Sequence, residues 1–145
     1  MARVIIIDPG KSKCGFVLAE IFEKKVCDAL VIKSELLEDY IKNINNFEDI
    51  SKIIIGNGTT SNETIKKLNF FKKEIIIFEE KNTTFRAKER YFELFPIKGL
   101  KSLIPREIFI LNKNLDAISA LIILEDYFKT KFTLNKDIDF KTWLK

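Results

Sequence analysis

Apolar residues follow two different periods along this chain. The unbroken β-branched run Val4-Ile5-Ile6-Ile7, closed by Asp8-Pro9-Gly10, predicts a buried strand over Arg3–Asp8 that ends in a turn. Two more strands are expected over residues 15–21 and 25–32. The links between these three are short enough to demand an antiparallel meander. From Ser34 the period lengthens. Leu36, Leu37, Tyr40, Ile41 and Ile44 recur at helical spacing, with Ser34 as N-cap and Asn45-Asn46 as the stop. A short apolar strand over residues 52–55 ends at Gly56-Asn57-Gly58. Ser61 or Asn62 then caps a helix that turns Ile65, Leu68 and Phe71 inward. Glu74–Phe78 reads as another buried strand. Thr83 or Thr84 opens a helix carrying Phe85, Tyr91, Phe92 and Phe95, and residues 96–105 form a basic loop. The last long helix is expected over residues 112–129, with Leu115, Ile118, Leu121, Ile122 and Leu124 apolar, followed by a tail that packs Phe140 and Trp143.

The resulting order, β-β-β-α-β-α-β-α-α, belongs to the α/β class. It predicts one domain over residues 1–145, built on a five-stranded mixed sheet with helices on both faces. The last two strands add parallel to the first by right-handed crossovers. Ligand sites in such sheets gather beyond the carboxyl ends of the strands. A chain of 145 residues buries roughly two-thirds of its unfolded surface, enough for a core without staples. Apolar runs such as Ile118 to Leu124 fall far short of a membrane span, and the N-terminus enters the first strand without a leader pattern. A cytoplasmic protein with no membrane partner is expected. Cys14 and Cys27 fall on neighbouring strands and read as two reduced core thiols.

The chain contains no histidine. That removes histidine-activated nucleophiles, histidine general bases and the common histidine zinc sites. Any catalysis then falls to carboxylates, which recruit hard cations such as Mg²⁺ or Mn²⁺. The net charge is +4, but residues 81–106 alone hold seven cations (Lys81, Arg86, Lys88, Arg90, Lys98, Lys101, Arg106) against Glu89 and Glu93. A local basic segment on a near-neutral body suits a polyanion, though a solvated helix face would read the same.

Acids stand at three element ends. Asp8 closes the first strand, where it is either a turn former before Pro-Gly or a rigidly held ligand. Glu79-Glu80 follow the run ending at Phe78. Adjacent strand residues point to opposite faces, so one of the two faces the site; the alternative is a pair of solvated charges. Asp116 sits at the start of an apolar helix face, complementing the helix dipole or serving a site. If the three converge, their mutual repulsion is naturally relieved by bound cations. Two-metal phosphodiester cleavage needs such bridging carboxylates and no histidine. Asn57 and Thr59, in the loop Gly56-Asn57-Gly58-Thr59-Thr60-Ser61, offer amides and hydroxyls to a phosphate, or else simply make a turn. The P-loop lysine and spacing are missing there. Lys11, beside the Asp8 turn, together with Lys81, Arg86, Lys88, Arg90 and Lys101, are the phosphate-contact candidates. The aromatic residues among them read more readily as core than as base-stacking platforms.

At these residues the chain resembles the YqgF/RuvX family, of the Holliday-junction-resolvase type within the ribonuclease H-like superfamily. Ile7-Asp8-Pro9-Gly10 through Gly15 resembles the family's first-strand motif. Ile55-Gly56-Asn57-Gly58-Thr59-Thr60-Ser61 resembles its glycine loop, in the form found in the YqgF-like domain of the transcription accessory protein Tex. Glu79-Glu80-Lys81-Asn82-Thr83-Thr84 is similar to its Asp-Glu-Arg-x-Thr-Thr run. Asp116-Ala117-Ile118-Ser119-Ala120-Leu121 with Tyr127 resembles its acidic C-terminal helix. The likeness spans about residues 4–128 and lies in the order and spacing of the motifs.

The resemblance implies a ribonuclease H-like fold and a catalytic triad of Asp8, Glu80 and Asp116 that holds Mg²⁺ or Mn²⁺, with Glu79 beside it as a further metal ligand. Lys81 stands where the family has arginine, which keeps the charge and loses the bidentate geometry. Family members are described as pre-16S ribosomal RNA nucleases or junction resolvases, so structured RNA or branched DNA is the implied substrate. Junction resolution, with two strands to cut, implies a homodimer, and the exposed residues of the aromatic helix are the candidate contact. Two other classes stand beside the nuclease. One is a nucleic-acid-binding module of the YqgF/Tex type with a degenerate site. The other is a relative of the sugar kinases and actin-like ATPases, disfavoured because that architecture needs two such domains.

Overall fold

The computed structural model describes residues 2–79, 83–96, 99, 103, 115–138 and 143–144. Three strands, β1 (Arg3–Asp8), β2 (Lys13–Glu20) and β3 (Lys25–Lys33), form the expected antiparallel meander. Its ladder runs from Arg3↔Glu20 to Asp8↔Gly15 and from Lys13↔Lys33 to Glu20↔Lys25, with a bulge between Leu18 and Ala19. β4 (Ile50–Gly56) lies parallel to β1, pairing Val4↔Lys52 through Ile7↔Ile55. β5 (Glu74–Phe78) lies parallel to β4 and ends at Gly56↔Phe78. The order across the sheet is β5-β4-β1-β2-β3, a mixed α/β arrangement with β1 in the middle. Two strands of two residues each extend it beyond the expected five. β6 (Thr133–Leu134) pairs with the start of β3, and β7 (Trp143–Leu144) pairs with its end. Two residues show no period, so these additions left no pattern in the sequence.

Side-chain alternation divides the sheet into two apolar faces. On one, Val4, Ile6, Val17 and Ile54 pack beneath α3 (Thr83–Leu94) and α4 (Asp116–Phe128), which contribute Ala87, Tyr91, Phe92, Ile118, Leu121 and Leu124. On the other, Ile5, Ile7, Phe16, Leu30, Ile53 and Ile55 meet Leu37 and Ile41 of α1 (Leu37–Lys42) and the segment that follows α2 (Ser61–Lys67), through Leu68 and Phe71. Every residue of the central strand from Val4 to Ile7 is fully buried, which is why β1 reads as a continuous apolar run rather than an alternating one. Burying each such isoleucine stabilises the fold by about 1.5–3 kcal/mol.

Local details depart from expectation for identifiable reasons. β2 begins at Lys13 rather than residue 15, because Lys13 and Cys14 pair with Lys33 and Ile32. Ser34 opens a short 3₁₀ turn (Ser34–Leu36) instead of capping a long helix; its hydroxyl donates across to the Gly10 carbonyl at 2.9 Å, tying the Asp8-Pro9-Gly10 turn to the end of β3. Ser61 is the first residue of α2 rather than its cap. The final helix starts at Asp116, with residues 111–114 outside the described part. Cys14 is buried and Cys27 half-buried, both as free thiols. Among the described residues no helix is long and apolar enough to cross a membrane.

Candidate active site

Asp8 is the last residue of the central strand and shares the face of Val4 and Ile6, the face covered by α4. Glycine stands beside it on both neighbouring strands. Across the β2 ladder its partner is Gly15. A Cβ placed on Gly15 would fall 1.9 Å from the Asp116 carbonyl oxygen and 2.9 Å from the Ala117 nitrogen. The first turn of α4 therefore rests on bare backbone, and only glycine permits that approach. On the β4 side, a Cβ on Gly56 would meet Asp8 Oδ1 at 3.7 Å and Ile123 Cδ1 at 2.8 Å, so the carboxylate leans over the end of β4. The two glycines thus bring Asp116 to the strand end and leave room there for the Asp8 side chain.

The charges at this point are poorly balanced. Burial, and secondarily the Asp116 carboxylate, push the Asp8 carboxyl up to about 7. Lys13 reaches Asp116 at 3.6 Å, with both side chains partly open to solvent. Two repelling carboxylates, one of them largely buried, are a donor set suited to a hard divalent cation. Among the described residues no third acidic or cysteine side chain joins them into a group able to hold a metal. Glu79 is exposed just beyond β5. Phe78 turns toward α4, where its ring lies 5.6 Å from that of Tyr127, so alternation sends Glu79 to the other face. Glu80 and Lys81 lie outside the described residues. Cys14 is near both acids and Lys67, yet burial pushes its thiol up to about 12, which makes it inert as a nucleophile.

The glycine loop after β4 is organised from within. The Ser61 hydroxyl accepts from the Gly58 amide at 2.7 Å and lies 2.9 Å from the carbonyls of Gly56 and Gly58. Asn57 and Thr59 project outward from this turn and are exposed, as is Lys11 beside the Asp8 turn. These three share the end of the sheet that carries Asp8.

The arginines of the basic segment lie elsewhere. Arg86 grips Asp126 through two bonds of 2.6 Å. Arg90 holds Glu125 at 2.9 and 3.1 Å and Glu93 at 2.9 Å. Asp126 is ten residues along α4 from Asp116, about 15 Å at 1.5 Å per residue. Both guanidinium groups therefore face carboxylates toward the far end of that helix. Lys88 is exposed on α3, and Lys101 lies outside the described residues. Of the aromatic residues on α3, Tyr91 and Phe92 are buried, whereas Phe85 is exposed.

No protein-family model matches the chain, and a search of curated proteins returns no match. The family likeness accordingly rests on the sequence motifs alone.

Three contributors escaped the sequence reading. Lys13 had a legible signal, because it alternates with Gly15 and Val17 and so shares the α4 face. Gly15 stood in the motif, but its contact with Asp116, a hundred residues away, leaves no local trace. The Ser34 hydroxyl that ties down the Gly10 turn was hidden behind its reading as a helix cap.

Proposed function

We propose that this protein is a divalent-metal-dependent endonuclease of the YqgF/RuvX type, with a ribonuclease H-like fold, that hydrolyses phosphodiester bonds in structured nucleic acid in the cytoplasm. The substrate is a ribosomal RNA precursor or a DNA junction. The observation that carries the reading is the pairing of Asp8 and Asp116, acids from two distant elements set together at the carboxyl end of the central strand. The strand order β5-β4-β1-β2-β3 and the absence of histidine support it.

Asp8 and Asp116, with Glu80 as the third ligand that the motif supplies, would hold Mg²⁺ or Mn²⁺. Such an ion, when bound, lowers the pKa of a water and neutralises charge on the leaving oxygen. Asp8 fixes the position of the site, because its strand is buried on both sides. Asp8, which keeps its proton up to about pH 7, would give it up to hold a cation, so metal affinity is expected to rise with pH. Lys13, 3.6 Å from Asp116, offsets part of the negative charge there. The exposed Lys11, Asn57 and Thr59 form the nearest surface for the phosphate backbone, and Lys81, Lys88 and Lys101 are the further contacts that the sequence nominates.

A second reading, a YqgF/Tex-type module that binds nucleic acid without cutting, is favoured by one observation: the described residues assemble two acids and not three. One experiment separates the two. Labelled structured RNA and a four-way DNA junction are incubated with the protein in Mn²⁺, Mg²⁺ or EDTA, beside Asp8→Asn. The nuclease reading expects metal-dependent cutting that disappears in the variant while binding persists. Salt-sensitive binding without cutting in any metal would replace it with the module, and wild-type turnover in Asp8→Asn would sink the assigned site.

A further inference from the structure

At the end of the sheet that carries Asp8, the strand ends change charge from one flank to the other. Beyond β5 stands the exposed Glu79, and β4 runs into the uncharged Asn57-Gly58. On the other flank β2 opens with Lys13 and β3 closes with Lys33, and these two lysines are direct partners in the ladder. Like charges set opposite one another weaken a strand pair. Lys13 is drawn to Asp116 at 3.6 Å. Lys33, half-buried and on the face of Ala29 and Val31, has no partner for its ammonium among the described residues.

The place of Lys33 is fixed, because the next residue is tied twice to the turn that follows Asp8. The Ser34 amide donates to the Ser12 carbonyl at 3.0 Å, and the Ser34 hydroxyl donates to the Gly10 carbonyl at 2.9 Å. Lys67 adds charge to the same corner. Its ammonium donates to the Ser34 carbonyl at 3.3 Å, a neutral acceptor that leaves the charge uncancelled. Lys11 is exposed in the turn between β1 and β2. Against these three lysines stands the exposed Glu35.

We propose that Lys33, with Lys11 and Lys67, forms a second phosphate subsite, so that the substrate strand leaves the acid pair across the ends of β2 and β3 and not past β5 and α3. This inference rests on the nucleic-acid reading above and adds a direction and a length to it. Neighbouring strands lie about 4.8 Å apart, which puts β3 about 10 Å from the strand of Asp8. Phosphates of a duplex advance about 3.4 Å per step along one strand, so the subsite meets the backbone about three nucleotides from the scissile phosphate. On the opposite flank Glu79 repels the backbone, and the arginines of α3 are held by Asp126 and Glu125. The substrate therefore needs to extend on one side of the cut more than on the other.

Binding of labelled structured RNA and of a four-way DNA junction is measured with Asp8→Asn protein in EDTA, so that cutting plays no part, over a range of salt. In this background Lys33→Ala should weaken binding at least threefold and lower the slope of log K against log salt by about one. It should not lower the melting temperature, since it removes one of two opposed like charges. Lys33→Glu should weaken binding at least tenfold, and Lys88→Ala on α3 should bind like its parent. In Mn²⁺, wild-type cutting should slow when one side of the substrate is trimmed to within about three nucleotides of the cut, and not when the other side is. Equal sensitivity on both sides overturns the stated direction. A parent that binds no nucleic acid overturns the subsite together with the reading it rests on. Binding that Lys33→Glu leaves unchanged overturns the subsite alone, and so does a loss in Lys88→Ala equal to that in Lys33→Ala, which puts the strand along α3.

Discussion

Helix α4 carries carboxylates at both ends, and the two ends are treated in opposite ways. At its C-terminal end Glu125 is nearly buried, and so is its partner Arg90, with side chains 9% and 11% exposed. Arg90 makes two bonds to Glu125, the Phe132 amide adds a third at 2.8 Å, and Arg86 takes both oxygens of Asp126. At the N-terminal end Asp116 stands beside Asp8, and Lys13, 42% exposed, reaches Asp116 at 3.6 Å. Matched acids anchor α4 to α3 and to the segment leading into β6. Burial, and secondarily the neighbouring Asp116, raise the Asp8 carboxyl to about 7 and keep a demand for positive charge there. Residues of one chemical type on one helix thus serve the fold at one end and the candidate site at the other.

The largest effect expected is at the matched end. Arg90→Ala leaves Glu125 buried without its partner and should destabilise the protein by about 3–5 kcal/mol in urea unfolding. Replacing both with leucine should restore most of that loss; a double variant as unstable as Arg90→Ala would deny that the stranded charge is the cause. At the Asp8 end the sign reverses. The folded Asp8 carboxyl titrates above its unfolded value, so this group opposes folding increasingly as pH rises from about 4 to about 7. Asp8→Asn should therefore raise stability in metal-free buffer by up to about 4 kcal/mol at pH 8. The gain should vanish near pH 4, as thermal melts across that range would show. A gain independent of pH would refute the electrostatic origin. The smallest effect belongs to Lys13→Ala, a loss of about 0.5–1 kcal/mol without metal. The same variant should bind Mn²⁺ more tightly by calorimetry, because a competing positive charge has gone; weaker binding would make Lys13 a supporting partner of the site.

The comparison also explains what was legible in the sequence. β1, β4 and β5 announced themselves through Ile5-Ile6-Ile7, Ile53-Ile54-Ile55 and Ile75-Ile76-Ile77; the first two runs are fully buried on both faces, whereas β5, expected to be buried too, is only half-covered, with Ile77 exposed. Asp8 and Asp116 were legible as acids at element ends, and the sheet brings those ends together. The basic segment was misleading where it counted Arg86 and Arg90 as surface charge. Their partners lie 40 and 35 residues further along, and a local tally of charge cannot see a carboxylate that only tertiary packing delivers. Arg90, with only 11% of its side chain exposed, looks in the sequence like any of its basic neighbours.

The seat of α4 on Gly15 has a mechanical consequence. Most helices ride on a sheet through interdigitated side chains, which let the two slide by small changes of rotamer. Here main chain lies against main chain, with no room for a single carbon between the Asp116 carbonyl and β2. Nothing at that point can act as a bearing. The first turn of the helix and the end of the sheet must twist as one body, and the distance between the two acids is set by backbone stiffness, leaving only their own short side chains to adjust it.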